Sequence, residues 1–227
     1  MSRAGLFCGG WAIRRSVPPS RQANTTLTSR WGVYLTRAAA DVRRVYGGKI
    51  TYASLIWEQV EWSLVDAVGV DHYWDERIKD RYTDMLNPLL ATGNPVVVTE
   101  FGFRTYWGVD KAGAVGLGNA DSKTLFLHQL PLVGRFIRLR LKVVHERDEG
   151  LQARGLRTLL GLVDDAGECP TFVTPVFPYN DNPLYDLDRD NFSLVKSYTG
   201  KRHDTTYPEM PWEPKEAFQV VADYYAR

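Results

Sequence analysis

The sequence has no glutamate before Glu58 and no acidic residue at all in its first 40 positions, where six arginines stand. The remaining 187 residues hold 22 basic against 27 acidic side chains, so a formal net charge of +1 conceals a net of −5 over most of the chain. A balance so near neutrality excludes a protein dominated by phosphate contacts, and no nucleic-acid partner is expected. Cysteine is nearly absent. Cys8 and Cys169 make neither a disulfide framework nor a metal spacing, and a reducing cytoplasm is the expected compartment. The histidines His72, His128, His145 and His203 fall in no ligand pattern, so neither a metal nor a cofactor is expected. No apolar run approaches the ~18 residues of a membrane-spanning helix, and no membrane partner is expected.

What is present is a globular composition, 44% hydrophobic and 12% aromatic, which argues against wholesale disorder. Residues 1–30 mix Gly, Pro, Ser, Thr and Arg without a period and read as a poorly ordered lead-in. From Val33 to Tyr46 the pattern is helical, with Val33, Tyr34, Ala38, Val42 and Val45 able to share a stripe before Gly47-Gly48. Short strands are expected at Lys49–Ser54, Val68–Tyr73, Pro95–Gly102 and Pro170–Phe177. Helices are expected at Glu76–Leu90, Arg147–Asp165 and Pro214–Tyr225, the last with Pro214 in its first turn and Phe218, Val221, Ala222 and Tyr225 on one face. Only a brief helix fits between Trp57 and Leu64. Valine-rich strands separated by helices give an α/β class with parallel pairing. An insertion at about 103–146 opens on glycines. It closes on Arg135–Val144, where Ile137, Leu139, Leu141 and Val143 alternate with Arg138, Arg140 and Lys142. That period of two predicts an edge strand or hairpin with a basic outer face.

In an α/β sheet, chemistry gathers at the C-terminal strand ends. Asp71, His72, Tyr73 and Trp74 close the second strand; Glu100, Arg104, Tyr106 and Trp107 follow the third; Tyr179, Asn180 and Asp181 follow the fourth. By strict alternation Glu100 shares a face with Val96 and Val98, while Thr99 looks the other way. A lone carboxylate at the tip of an apolar strand is costly to bury unpartnered, which marks Glu100 as functional or as a partner of Arg104. The glycines between Gly113 and Gly118 are no nucleotide fingerprint, because no strand runs into them. Ser54 and Ser63 lack a nucleophile-elbow context.

Asn94-Pro-Val-Val-Val-Thr-Glu-Phe-Gly102 resembles the seventh strand of clan A glycoside hydrolases, which ends in the catalytic nucleophile. Trp62–Tyr73 is similar to their sixth strand, which ends in a tyrosine touching that nucleophile. From about Gly48 onward the chain also resembles a group of bacterial barrel proteins sometimes labelled abortive infection proteins. It does so through Thr-Tyr-Ala-Ser54, Thr-Glu-Phe-Gly102, Asp-Glu-Gly-Leu-Gln-Ala153 and Thr-Tyr-Pro-Glu-Met-Pro-Trp-Glu-Pro214. The resemblance implies a partial (β/α)8 barrel, strands five to eight, over residues 31–227. It implies Glu100 as the nucleophile of a retaining glycosidase and Tyr73 as the group that orients it. Asp71 stands where those enzymes usually carry asparagine, in a sugar-binding position. Trp74, Tyr106, Trp107 and Tyr179 would stack on sugar rings or pack the rim, and Arg104 would bind an anionic sugar or hold Glu100.

Such enzymes need a second carboxyl as acid/base, placed at the end of strand four. Residues 1–57 hold no glutamate, and their one acid, Asp41, lies inside a predicted helix. Glu58 and Glu61 are the nearest substitutes. A full barrel takes ~250 residues, so the expectation is half a barrel whose N-terminal part is lost or replaced. Such a protein is weak or inactive as a hydrolase, and its open sheet edge invites self-association. The competing expectations are a non-catalytic carbohydrate-binding or structural module and a defence-related protein.

Overall fold

The computed structural model describes residues 30–111, 119–165, 169–170, 177–199 and 205–226. Among the described residues five helices and six strands follow in order: α1 (Arg30–Val45), β1 (Thr51–Leu55), β2 (Ala67–Asp71), α2 (Asn87–Leu90), β3 (Val96–Glu100), α3 (Ser122–His128), α4 (Glu149–Asp165), β4 (Cys169–Pro170), β5 (Val195–Ser197), β6 (Trp212–Pro214) and α5 (Glu216–Tyr225). They divide between two compact units. The first comprises the described residues within 1–72, 80–101 and 162–172, the second those within 73–79, 102–161 and 173–227.

The first unit is built on a parallel sheet in the order β1-β2-β3-β4. Its register aligns Tyr52 with Val68 and Val68 with Val96, then Ser54 with Val70 and Val70 with Val98. That face is dry: Val68, Val70 and Val98 are fully buried and Val96 and Ser54 nearly so. Each valine so placed contributes about 1.5–3 kcal/mol relative to an exposed one. Trp62, Tyr82 and Leu86 extend the same core. On β1 the other residues, Thr51, Ala53 and Leu55, are exposed, as befits a strand with a partner on one side only. Helix α1 is tied to this unit by Arg43, which bonds Asp66 at 2.7 Å while Asp66 also accepts from the Ile50 amide. Its expected stripe does not form a core contact of any depth. Val33, Tyr34, Val42 and Val45 are 41–88% exposed, and Gly32 is the helix's buried residue.

The segment expected to be helical from Glu76 to Leu90 is instead a series of turns. Single 3-10 turns at Lys79–Arg81 and Asp84–Leu86 lead into the four residues of α2. The physical reason lies in its ends. Asp75 turns back on its own chain, accepting from the amide and guanidinium of Arg77, and Pro88 cannot donate to a preceding turn. The resulting path brings Tyr82 onto His72.

The second unit packs around α4. Gln152, Ala153, Leu156, Leu159 and Leu160 are its buried residues within this unit, a helical period that faces Phe103. Gly155 makes that approach possible: a Cβ there would lie 2.5 Å from the Phe103 ring. The Gln152 amide donates to the carbonyls of Phe103 and Ser193, pinning two loops to the helix. Two further differences from the sequence expectation occur here. Pro214 belongs to β6, paired antiparallel with β5, and α5 begins after Lys215. The basic segment 135–144 keeps its alternating burial from Ile137 to Lys142 but forms no ladder among the described residues. Asn119 and Asp121 satisfy its backbone with side-chain and single-bridge contacts instead. The lead-in over residues 1–29, the glycines of 113–118 and most of the fourth expected strand lie outside the described residues.

Candidate active site

The first unit carries a carboxylate-rich rim at the C-terminal end of its parallel sheet. Val70 pairs with Val98, but the next residue, Asp71, pairs with Glu100, so β3 holds an extra residue at Thr99. The irregularity is a bulge. Bulges re-aim side chains and recur beside active sites. It also overturns the strict alternation expected for this strand end, because Thr99 and Glu100 together oppose Asp71. The Thr99 hydroxyl donates to Asp71 at 2.8 Å, and the His72 amide donates to the Glu100 carbonyl at 2.9 Å. Neighbouring strands run about 4.8 Å apart, so the pairing brings the backbones of the two acids to that spacing.

Burial raises the pKa of Asp71, and the charges of Glu100 and then Glu58 raise it further, against a lowering by the Thr99 hydrogen bond. Glu58 reaches this rim from beyond β1. One of its oxygens accepts from the Tyr52 hydroxyl at 2.9 Å and the other from the Leu55 amide at 3.2 Å. Leu55 is itself the register partner of Asp71. Burial, and then Glu58, push the Tyr52 hydroxyl above its ordinary pKa. Glu61 does something different: it caps the 3-10 turn at Trp62–Leu64 by accepting from Ser63.

Support for the rim comes from below. His72 is 2% exposed and its Nε2 meets the Tyr82 carbonyl at 2.8 Å, while the Tyr82 hydroxyl donates to the His72 carbonyl at 2.7 Å. The two rings stack at 4.0 Å. Burial lowers the imidazole pKa, so His72 is a neutral clasp that fixes the end of β2.

The other expected site residues belong to the second unit. Tyr73 packs on Phe192 with ring centroids 5.0 Å apart, and Trp74 on Phe103 at 5.4 Å. Tyr106 is buried and stacks on His145 at 4.5 Å. Arg104 is also buried. Its guanidinium lies 3.4 Å from Asp190 and over the Phe192 ring, an internal position from which it offers no open charge to a sugar acid. Tyr179 lies beneath the cations of Arg147 and Lys196 and edge-on to Tyr198. Trp107 alone among these aromatic residues is largely exposed, at 67%.

A second charged cluster, not anticipated from the sequence, lies within this unit. Arg147 donates to Asp186 at 2.9 Å and Asp188 at 2.8 Å, both fully buried, and reaches Glu149 at 3.1 Å. The Lys215 ammonium sits 3.0 Å from Asp188 and donates to Thr105 at 2.9 Å. Lys196 joins Glu149 and Glu213. Burial lowers the Lys215 pKa to about 8 despite the charge of Asp188. The one sequence signal was the alternation of Asp186, Asp188 and Asp190. Among the described residues no cluster of three His, Cys, Asp or Glu side chains is arranged to hold a metal, and no helix is long and apolar enough to cross a membrane.

No family profile matches the chain, and no curated protein does. Solved structures do. Two structures of a GH113 β-1,4-mannanase, one of them a complex, align with 84% of this chain and 50% of their own length. Their TM-scores are 0.51 and 0.50, at 14% and 15% identity. A glycoside hydrolase family 17 β-1,3-glucanosyltransferase from Rhizomucor miehei aligns over 72% of this chain and 52% of its own. Its TM-score is 0.42 at 10% identity, too low to carry weight. The chain spans about half the length of the mannanase structures. What it shares with them is a fold, a mixed α/β architecture with a parallel sheet that resembles those of glycoside hydrolase barrels.

Proposed function

We propose that this chain is a glycosidase-like protein that acts on β-linked sugars through Glu100, with β1–β4 of its parallel sheet equivalent to strands five to eight of an eight-stranded barrel. The observation that carries the reading is the bulged pairing that sets Asp71 opposite Glu100 at the functional end of a parallel sheet. A retaining glycosidase holds its two carboxyls about 5–5.5 Å apart. In the proposed reaction Glu100 attacks the anomeric carbon, forming a glycosyl ester as the bond to the leaving oxygen breaks. Asp71, whose pKa burial and Glu100 raise, gives its proton to that oxygen; water then cleaves the ester, releasing the Glu100 carboxylate and returning its proton to Asp71. Asp71 is a shorter acid than the glutamate that such enzymes use as acid/base, so hydrolysis of unactivated glycosides is slow. The fold likeness makes β-1,4-mannan the first substrate to try.

The test uses 2-deoxy-2-fluoro glycosyl fluorides, whose leaving group departs without an acid, so that Glu100 is tested apart from Asp71. Mass spectrometry is expected to find one sugar adduct on the peptide bearing Glu100, and none in Glu100→Gln. Absence of an adduct across manno-, gluco-, xylo- and arabino-configured reagents overturns the assignment. A sugar-dependent rise in melting temperature without an adduct would instead identify a non-catalytic binding module. No observation in the structure favours a defence role.

A further inference from the structure

A depression of about 140 Å3 in the second unit is lined by Trp107, Gly108, Asp110, Lys111, Asp148, Leu151 and Arg154. One wall is the turn after Tyr106. Its backbone is fixed: the Trp107 amide donates to the Glu146 carbonyl at 2.9 Å, Tyr106 bridges Arg147, and Val109 is buried. Gly108 takes a φ of 83°, the left-handed region that a side chain would strain. The opposite wall is the first turn of α4, where Asp148 accepts from the Leu151 amide at 2.7 Å and lies 3.9 Å from the Arg154 guanidinium. The indole is therefore presented by a rigid turn, yet it remains two-thirds exposed.

The lining dictates the chemistry it will accept. Four charged side chains exclude a wholly apolar ligand. Two carboxylates, Asp110 and Asp148, against two cations, Lys111 and Arg154, give no net charge to attract an ion. An open aromatic face beside alternating hydrogen-bond donors and acceptors suits a neutral ligand with one apolar face and a rim of hydroxyls. We infer that this depression is a saccharide subsite taking one ring of a neutral glycan on Trp107, with Asp110, Asp148 and Arg154 bonding its hydroxyls. The inference rests on the carbohydrate reading above, but it requires no chemistry at Glu100.

The two are separable by titrating Glu100→Gln protein calorimetrically with manno-, gluco- and xylo-configured β-linked hexasaccharides, and then repeating with Glu100→Gln/Trp107→Ala. At least one hexasaccharide is expected to bind, with an affinity that falls about tenfold or more on removal of the indole. Trp107→Ala alone is expected to melt within about 1 °C of the parent, since an exposed side chain contributes little to stability. Unchanged affinity in the double variant overturns the subsite, as does binding of none of the three sugars. Loss of Glu100 labelling with binding intact overturns the catalytic reading alone.

Discussion

The rim of the parallel sheet and the ionic cluster of the second unit both gather carboxylates, but they treat them in opposite ways. At the rim, Asp71 feels Glu100 and Glu58, so two like charges and burial together raise its pKa. In the ionic cluster of the second unit each acid faces a cation: Asp186 has Arg147 and Arg189, Asp188 has Arg147 and Lys215, and half-buried Glu149 has Arg147 and Lys196. Outside that cluster, burial raises the pKa of Asp190 despite its neighbour Arg104. Balanced charges at low dielectric hold a structure together, whereas crowded like charges raise the pKa of one group. The cluster that best satisfies its charges is thus structural, and the one that leaves them in conflict is the functional candidate.

The comparison breaks most visibly at Asp188. Asp188→Asn leaves Lys215 and Arg147 sharing a buried site with less negative charge, and should cost about 3–5 kcal/mol in chemical denaturation. A loss below about 1 kcal/mol would mean the cluster is not structural. Gly155→Ala probes the same unit without charge: its new methyl meets the Phe103 ring, and overpacking of this kind costs about 1–3 kcal/mol. At the rim, by contrast, Asp71→Asn should leave stability at neutral pH unchanged or slightly higher, by no more than about 1 kcal/mol, because it removes a carboxylate held above its ordinary pKa. It should nevertheless slow hydrolysis of glycosides with poor leaving groups far more than of activated ones.

The smallest effect is in pH dependence, where the two regions should differ in sign. Asp71 binds its proton more tightly folded than unfolded, so its contribution is present at low pH and lost as pH rises from the ordinary aspartate value through its raised one. For Glu149, burial works upward, but Lys196 and Arg147 hold the carboxyl below the glutamate range. Its contribution is present above that range and lost as pH falls through the lowered value. Comparing acid titrations of stability for Asp71→Asn and Glu149→Gln with the parent should show difference curves of opposite slope.

Much of this was legible in the sequence wherever one local signal dominates. The valine runs of β2 and β3 and the periods of α1, α4 and α5 gave elements close to those observed. The acid at the tip of β3 stood out because nothing apolar explains it. Illegible were features set by pairing across distance. The bulge that sets Asp71 against Glu100 depends on where two strands slip, and alternation within one strand cannot reveal it. Arg147, Asp186, Asp188, Lys196 and Lys215 meet only after the chain has folded back several times. The turns between Glu76 and Leu90 followed the needs of His72 and Tyr82 over a helical spacing that was weak beside Pro88. The stripe on α1 was read correctly as a period, yet burial did not follow from it.

The most direct measurement is the titration of the Asp71 carboxyl carbon by NMR in the parent and in Glu100→Gln. The account predicts a pKa above the ordinary aspartate value in the parent that falls when Glu100 loses its charge. A parent value at or below the ordinary one, or a value unmoved by Glu100→Gln, would contradict the pairing on which the proposed chemistry depends.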